Sequence, residues 1–161
     1  MSIPAFDDDG DRKVTIILSK GSLEDAYAAL IMANSALGEG MEVNLFFTFW
    51  GLDLITDNKI DHLGVTPVGN LSMGMPQAVA PIPGMATMAT KMMKRKIEGL
   101  DVPPLREFLE MVQDSGGALW ACRMSADMME LDMSDFVPGV KDIVSAADMF
   151  NLAEGGNILF I

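Results

Sequence analysis

The stretch Val14-Thr15-Ile16-Ile17-Leu18-Ser19-Lys20-Gly21-Ser22-Leu23-Glu24-Asp25-Ala26-Tyr27, followed after one helix by Val43-Asn44-Leu45-Phe46-Phe47-Thr48, decides the fold. Val14 to Leu18 is rich in β-branched residues and bounded by polar ones, so it predicts a first strand. Ser19-Lys20-Gly21 turns the chain. Ser22 is suited to cap a helix, with Asp25 three residues on as a short version of the capping box. Leu23, Ala26, Tyr27, Leu30, Ile31 and Leu37 then recur at helical spacing, and Gly38 and Gly40 stop the helix. Val43 to Thr48 is a second strand, ending in Phe49-Trp50-Gly51 and a short helix-like piece to about Ile55. Strand, helix and strand joined by short loops imply a parallel sheet covered by helices, with right-handed crossovers.

The same alternation extends outward from this unit. Met85 to Ile97 predicts a helix whose end carries Lys91, Lys94, Arg95 and Lys96; this reads as a solvated helix end favoured by the helix dipole. Pro103-Pro104 opens another helix, with Leu105, Phe108, Leu109 and Val112 on one face, and Gly116-Gly117 ends it. Ala118-Leu119-Trp120-Ala121-Cys122 is an apolar strand. Arg123-Met124-Ser125-Ala126-Asp127-Met128-Met129 opens a helix directly after it. Pro138-Gly139 marks a turn, Val140-Lys141-Asp142 a very short strand, and Ile143 to Ala153 a helix. Gly155-Gly156 then leads to a last strand, Asn157-Ile158-Leu159-Phe160-Ile161. The expected class is α/β: three layers, α/β/α, around a mostly parallel sheet of flavodoxin-like topology. One domain over 13–161 and a flexible acidic tail over 1–12 follow from length and local composition.

Composition excludes several function classes. Half of the 161 residues are hydrophobic, enough for a sizeable core, and the formal net charge is −12. Phosphate binding needs clustered Lys and Arg, so a nucleic-acid surface is disfavoured. The acidic N-terminus is unlike a secretory signal peptide. A single cysteine cannot form an internal disulfide, which fits a reducing, cytoplasmic setting. One cysteine and one histidine, His62, leave too few ligands for a zinc site, and no cofactor or metal is expected. From Leu63 to Thr90 there is no charged residue, and Gly and Pro recur among methionines. Those breaks exclude a transmembrane span. Two readings of this segment stay open: a mobile apolar loop and, the favoured one, a surface buried in an oligomer interface.

Cys122 is the candidate reactive group. A thiol at the carboxyl end of a strand, facing the start of a helix, sits where N–H groups and partial positive charge lower its pKa. Ligands in open parallel sheets bind beyond the carboxyl ends of the strands. Three such ends carry Lys20-Gly21, Phe49-Trp50 and Cys122-Arg123. Lys20 and Arg123 are the candidate positive charges, Phe49 and Trp50 the candidate walls of a dry pocket. Ser125, in Cys-x-x-Ser spacing, offers a hydroxyl one turn from the sulfur. The bland alternative is a buried structural cysteine, with Arg123 paired to Asp127 one turn on.

Several segments resemble the DsrE/DsrF-like family and, within it, the DsrE2 branch often labelled peroxiredoxin-like. They are Ser19-Lys20-Gly21-Ser22, Phe46-Phe47-Thr48-Phe49-Trp50-Gly51-Leu52, Met75-Pro76, Pro83-Gly84, Met92-Met93-Lys94, Ala121-Cys122-Arg123-Met124-Ser125 and Leu159-Phe160-Ile161. The resemblance runs from Val14 to the last residue. It implies an α/β/α fold, homo- or hetero-oligomers, and sulfur relay. In that relay one cysteine, here Cys122, accepts sulfane sulfur as a persulfide and passes it to a partner such as a TusA-like protein. Donor and acceptor are then separate proteins. No Thr-x-x-Cys motif precedes Cys122, which separates it from the peroxidase pattern. A non-catalytic interaction module and a thiol peroxidase with an external reductant are the alternatives.

Overall fold

A computed structural model describes residues 12–66 and 84–161. Five parallel strands form one sheet: β1 (Lys13–Leu18), β2 (Glu42–Phe47), β3 (Ala118–Cys122), β4 (Val140–Val144) and β5 (Asn157–Phe160), in the spatial order β4-β3-β2-β1-β5. The α/β expectation therefore holds. The strand order corrects the flavodoxin-like part of it: the first four strands follow one another in sequence, whereas flavodoxin's order is 2-1-3-4-5. The chain then reverses and carries β5 past them to the far side of β1. With right-handed crossovers, this reversal puts the last helix on the opposite face from the earlier ones.

The helices are α1 (Leu23–Gly38), α2 (Met85–Glu98), α3 (Leu105–Asp114), α4 (Arg123–Met128) and α5 (Ala146–Leu152). The Ser22 hydroxyl caps α1, accepting from the Asp25 N–H at 3.2 Å and donating to the Asp25 carboxylate at 2.6 Å. α1 and α3 cover one face of the sheet. Ile16, Leu18, Leu45, Phe47, Leu119 and Ala121 point to it and are fully buried among Leu30, Phe108, Leu109 and Val112. The face of α3 read from the sequence is the one buried. Side chains one register step away, Ile17, Phe46 and Cys122, belong to a second, smaller core with Met149 and Ala153 around α5.

Near the chain's end the structure corrects the reading. Ile143 and Val144 lie in β4, not in a helix, and α5 begins at Ala146. β-branched residues suit a strand flanked by a partner, and β3 supplies one. The pairing steps from Leu119↔Val140 to Trp120↔Asp142, so Lys141 is the extra residue of a bulge. Ser145 caps α5 in a full capping box with Asp148.

The expected tail falls outside the described residues except for Arg12, whose carbonyl accepts the Glu42 N–H at 2.9 Å. The uncharged segment 63–90 also falls mostly outside them. Of its described part, Leu63 is buried and packs on the larger core, and Ala89 of α2 is buried too. Among the described residues no helix is long and apolar enough to cross a membrane.

Candidate functional site

The carboxyl ends of β2 and β3 lie side by side, Phe47 opposite Ala121. The next residue on β2 is Thr48 and the next on β3 is Cys122. After Thr48 the chain folds into a 3-10 segment, Phe49–Leu54. That segment presses onto the end of β1: a Cβ on Gly51 would stand 2.1 Å from the Leu18 carbonyl oxygen, and one on Gly21 would stand 2.5 Å from the Trp50 carbonyl oxygen. Only glycine permits either approach. Phe49 itself adopts a left-handed φ of 46°, which a non-glycine residue takes only when its surroundings impose it.

That conformation gives the Phe49 N–H a partner. It donates to the Ser125 hydroxyl oxygen at 2.9 Å, and the Thr48 and Ser125 hydroxyl oxygens are 3.0 Å apart. Ser125 is completely buried. Beside them Cys122 is 5 % exposed and is the free cysteine of the chain. Burial pushes its pKa up. Hydrogen bonding from the Thr48 hydroxyl, from the N–H and hydroxyl of Ser125 and from the Met124 N–H pulls it down and prevails, so the thiol lies below its ordinary value near 9.0. Cys122 is the residue before α4, and its side chain makes no cap bond to that helix, as befits the weak acceptor that sulfur is.

Of the residues singled out in the sequence, the structure brings together Cys122, Ser125 and the backbone of Phe49. The Phe49 and Trp50 rings stand outward, Trp50 62 % exposed. Arg123 is exposed and does not pair with Asp127. It donates to the Ile143 carbonyl, and its charge helps lower the pKa of Asp148, after the Ser145 hydrogen bonds. Lys20 lies 3.5 Å from Asp25 at the start of α1. It follows β1, two strands from Cys122, a separation of roughly 10 Å at the usual strand spacing. The groups acting on the sulfur are therefore neutral hydroxyls and amides. Gly21 makes a close approach to the Trp50 backbone rather than to the sulfur. Thr48, which sequence reasoning treated only as the end of a strand, is the addition. Its signal was its place at a strand end next to the strand that holds the cysteine.

Among the described residues, no group of three or more His, Cys, Asp or Glu side chains is arranged to hold a metal ion. His62 ends a 3-10 turn, Ile60–His62, and is exposed.

A parallel five-stranded α/β protein with one cysteine at a strand end is the class that fold and site define. The model of the DsrE/DsrF/DrsH-like family matches residues 10–161, and the chain belongs to that family. It is 37% identical over 155 residues to the sulfur carrier protein DsrE2 of Allochromatium vinosum, covering 91% of this chain and 96% of that one. It is 29% identical over 160 residues to the uncharacterized protein YrkE of Bacillus subtilis, covering 93% and 97%. Among solved structures, the fold is similar to that of MTH1491, a protein of unknown function from Methanobacterium thermoautotrophicum. The TM-score is 0.57 at 10% identity, over 94% of this chain and 100% of that one. The ychN protein of E. coli is similar at a TM-score of 0.53 and 12% identity, over 93% and 99%.

Proposed function

We propose that the protein is a sulfur carrier that holds sulfane sulfur as a persulfide on Cys122 and relays it to a partner thiol. The observation that carries this reading is the setting of Cys122: a strand-end thiol next to the paired Thr48 and Ser125 hydroxyls at the start of α4, whose pKa is lowered by hydrogen bonding despite burial. Its likeness to a named sulfur carrier over nearly the whole chain supports the same reading. In the loading step the Cys122 thiolate attacks the outer sulfur of a donor persulfide. A new S–S bond forms at Cys122, the donor's S–S bond breaks, and the donor leaves as a thiolate. In the unloading step an acceptor thiolate attacks the outer sulfur on Cys122, and the electron pair of the broken bond returns to the Cys122 sulfur. The two steps together require no net oxidant or reductant.

With this reading go one DsrE-like domain over 13–161, a cytoplasmic location, and external donor and acceptor proteins, the acceptor TusA-like. A homo-oligomer goes with it as well. Phe150, Ile158 and Phe160, all largely exposed around the edge strand β5, support a further interface, since apolar edges invite pairing.

The burial of Cys122 favours a second reading, a non-catalytic module with a structural cysteine. Mass spectrometry of the intact protein after polysulfide treatment separates the two. The carrier gains the mass of one sulfur atom, and Cys122→Ser does not. A native protein that gains nothing is the module. Rapid sulfenic acid formation with catalytic loss of peroxide marks the thiol peroxidase instead.

A further inference from the structure

Thr48 and Ser125 are 77 residues apart in sequence, yet their hydroxyls meet in a buried contact at the sheet edge. Protons are scarce there. Each hydroxyl has one to donate. The Phe49 N–H can only donate, and it already occupies one acceptor position on the Ser125 oxygen. The 3.0 Å contact between the two hydroxyls uses one of their two protons. The other remains, and the buried group beside them that gains from it is the Cys122 sulfur. Two orders satisfy this count: Ser125 donates to Thr48 and Thr48 to sulfur, or the reverse. Phe47 pairs with Ala121, so the next residues, Thr48 and Cys122, stand across from each other, which favours the first order.

We propose that Thr48 is a positioning residue for Cys122, the last member of a donor chain that runs from the Phe49 N–H through the Ser125 hydroxyl to the Thr48 hydroxyl and ends on the sulfur. Its role in transfer rests on the carrier reading. When an acceptor thiolate takes the outer sulfur, the electron pair of the breaking S–S bond collects on the Cys122 sulfur. Thr48 and Cys122 each follow the paired residues Phe47 and Ala121, so the Thr48 O–H stands across from that atom and, in the proposed order, donates to it. A thiolate stabilised in this way is a better leaving group and a somewhat weaker nucleophile. Thr48 therefore assists unloading more than loading, a distinction that a merely structural threonine does not make.

The test uses the full chain, Thr48→Val and Thr48→Ser, with folding checked by circular dichroism. The pH midpoint of Cys122 ionisation is followed by thiolate ultraviolet absorbance, which needs no reagent to enter the fold. Thr48→Val is expected to raise the midpoint by about one pH unit, the scale of one hydrogen bond to a charged group. Above both midpoints, polysulfide-loaded Thr48→Val is expected to release sulfur to glutathione about tenfold more slowly, with loading little changed. Thr48→Ser restores both. An unchanged midpoint in folded Thr48→Val, or no recovery in Thr48→Ser, overturns the proposal. Ser125→Ala breaks the chain one step earlier and decides the matter if Thr48→Val does not fold: a raised midpoint supports the chain, an unchanged one overturns it. A midpoint that shifts in a protein that never loads sulfur sinks the carrier reading but leaves the donor chain. Normal loading with an unchanged midpoint does the opposite.

Discussion

Phe46 and Phe47 are neighbours on β2 and serve different halves of the molecule. Phe47 points toward α1 and α3 into a continuous core in which every strand takes part. Phe46 points the other way, into a small cluster with Ile17, Cys122, Met149 and Ala153. Successive strand residues alternate between faces, so Ala121 and Cys122 are divided in the same way. The first face is closed by two long helices. Among the described residues, the second holds the seven-residue α5 and leaves Phe160 70 % exposed on the edge strand beside it. The first face holds the sheet together. The second packs the Cys122 thiol against the end of a single short helix.

The strongest test of this division is Phe47→Ala. It should cost about 3–5 kcal/mol in urea unfolding, as large-to-small changes in packed cores do. A loss under 1 kcal/mol would mean the first face is not the main source of stability. Gly51→Ala ranks next. Its new Cβ would collide with the Leu18 carbonyl, so about 1–3 kcal/mol is expected from overpacking. Ionisation of Cys122 should become easier to disturb as well, because the 3-10 segment that carries the Phe49 N–H must move. A Cys122 midpoint that stays fixed would separate that segment from the site.

Ser145→Ala removes the cap of α5 and should cost about 1 kcal/mol. It should also speed alkylation of Cys122, because α5 covers the smaller core. Stability lost without any change in alkylation would show that α5 does not guard the thiol. Asp148, held below its ordinary value near 3.8 by the Ser145 hydrogen bonds, adds a pH signature. A carboxylate with a depressed folded pKa contributes stability above its unfolded value and loses it as pH falls through the folded one. The penalty of Ser145→Ala should accordingly shrink in acid.

A smaller effect again comes from Cys122 itself. Its folded pKa lies below the ordinary 9.0. Between the two values the unfolded thiol holds a proton that the folded one has lost, so stability rises with pH in that window. Measured against Cys122→Ser, the native protein should gain stability as pH climbs toward 9.0 and level off above it. A flat difference would place the thiol at its ordinary value. The smallest effect is expected for Phe160→Ser, within about 0.5 kcal/mol on the folded protomer, as for an exposed site. Sedimentation should nevertheless change if copies of the chain meet along β5.

The two faces were not equally legible. The first announced itself through strong local signals: β-branched runs for β1 and β2, and Leu105, Phe108, Leu109 and Val112 at helical spacing for α3. Ile143-Val144 was misassigned because a short apolar run fits either structure. The Ser145 and Asp148 box two residues later was the signal that marks the true start of α5. Cys122 and Ser125 were visible together because they are one turn apart. Lys20 and Arg123 were attractive as charges, but a charge acts through distance and sequence does not give distance. Strand order puts β2 between Lys20 and the sulfur, and Arg123 turns to the edge of β4.

By itself the sequence determined the alternation of strands and helices, the strand-end thiol and the single-thiol chemistry available to it. Hydrophobic period and turn residues are local properties and need no neighbour. Tertiary structure alone decided what acts on that thiol. It packed Gly21 and Gly51 against the backbone, forced Phe49 into a left-handed turn, and set Thr48 against Ser125. Those contacts span tens of residues and exist only once β1, β2 and β3 lie side by side.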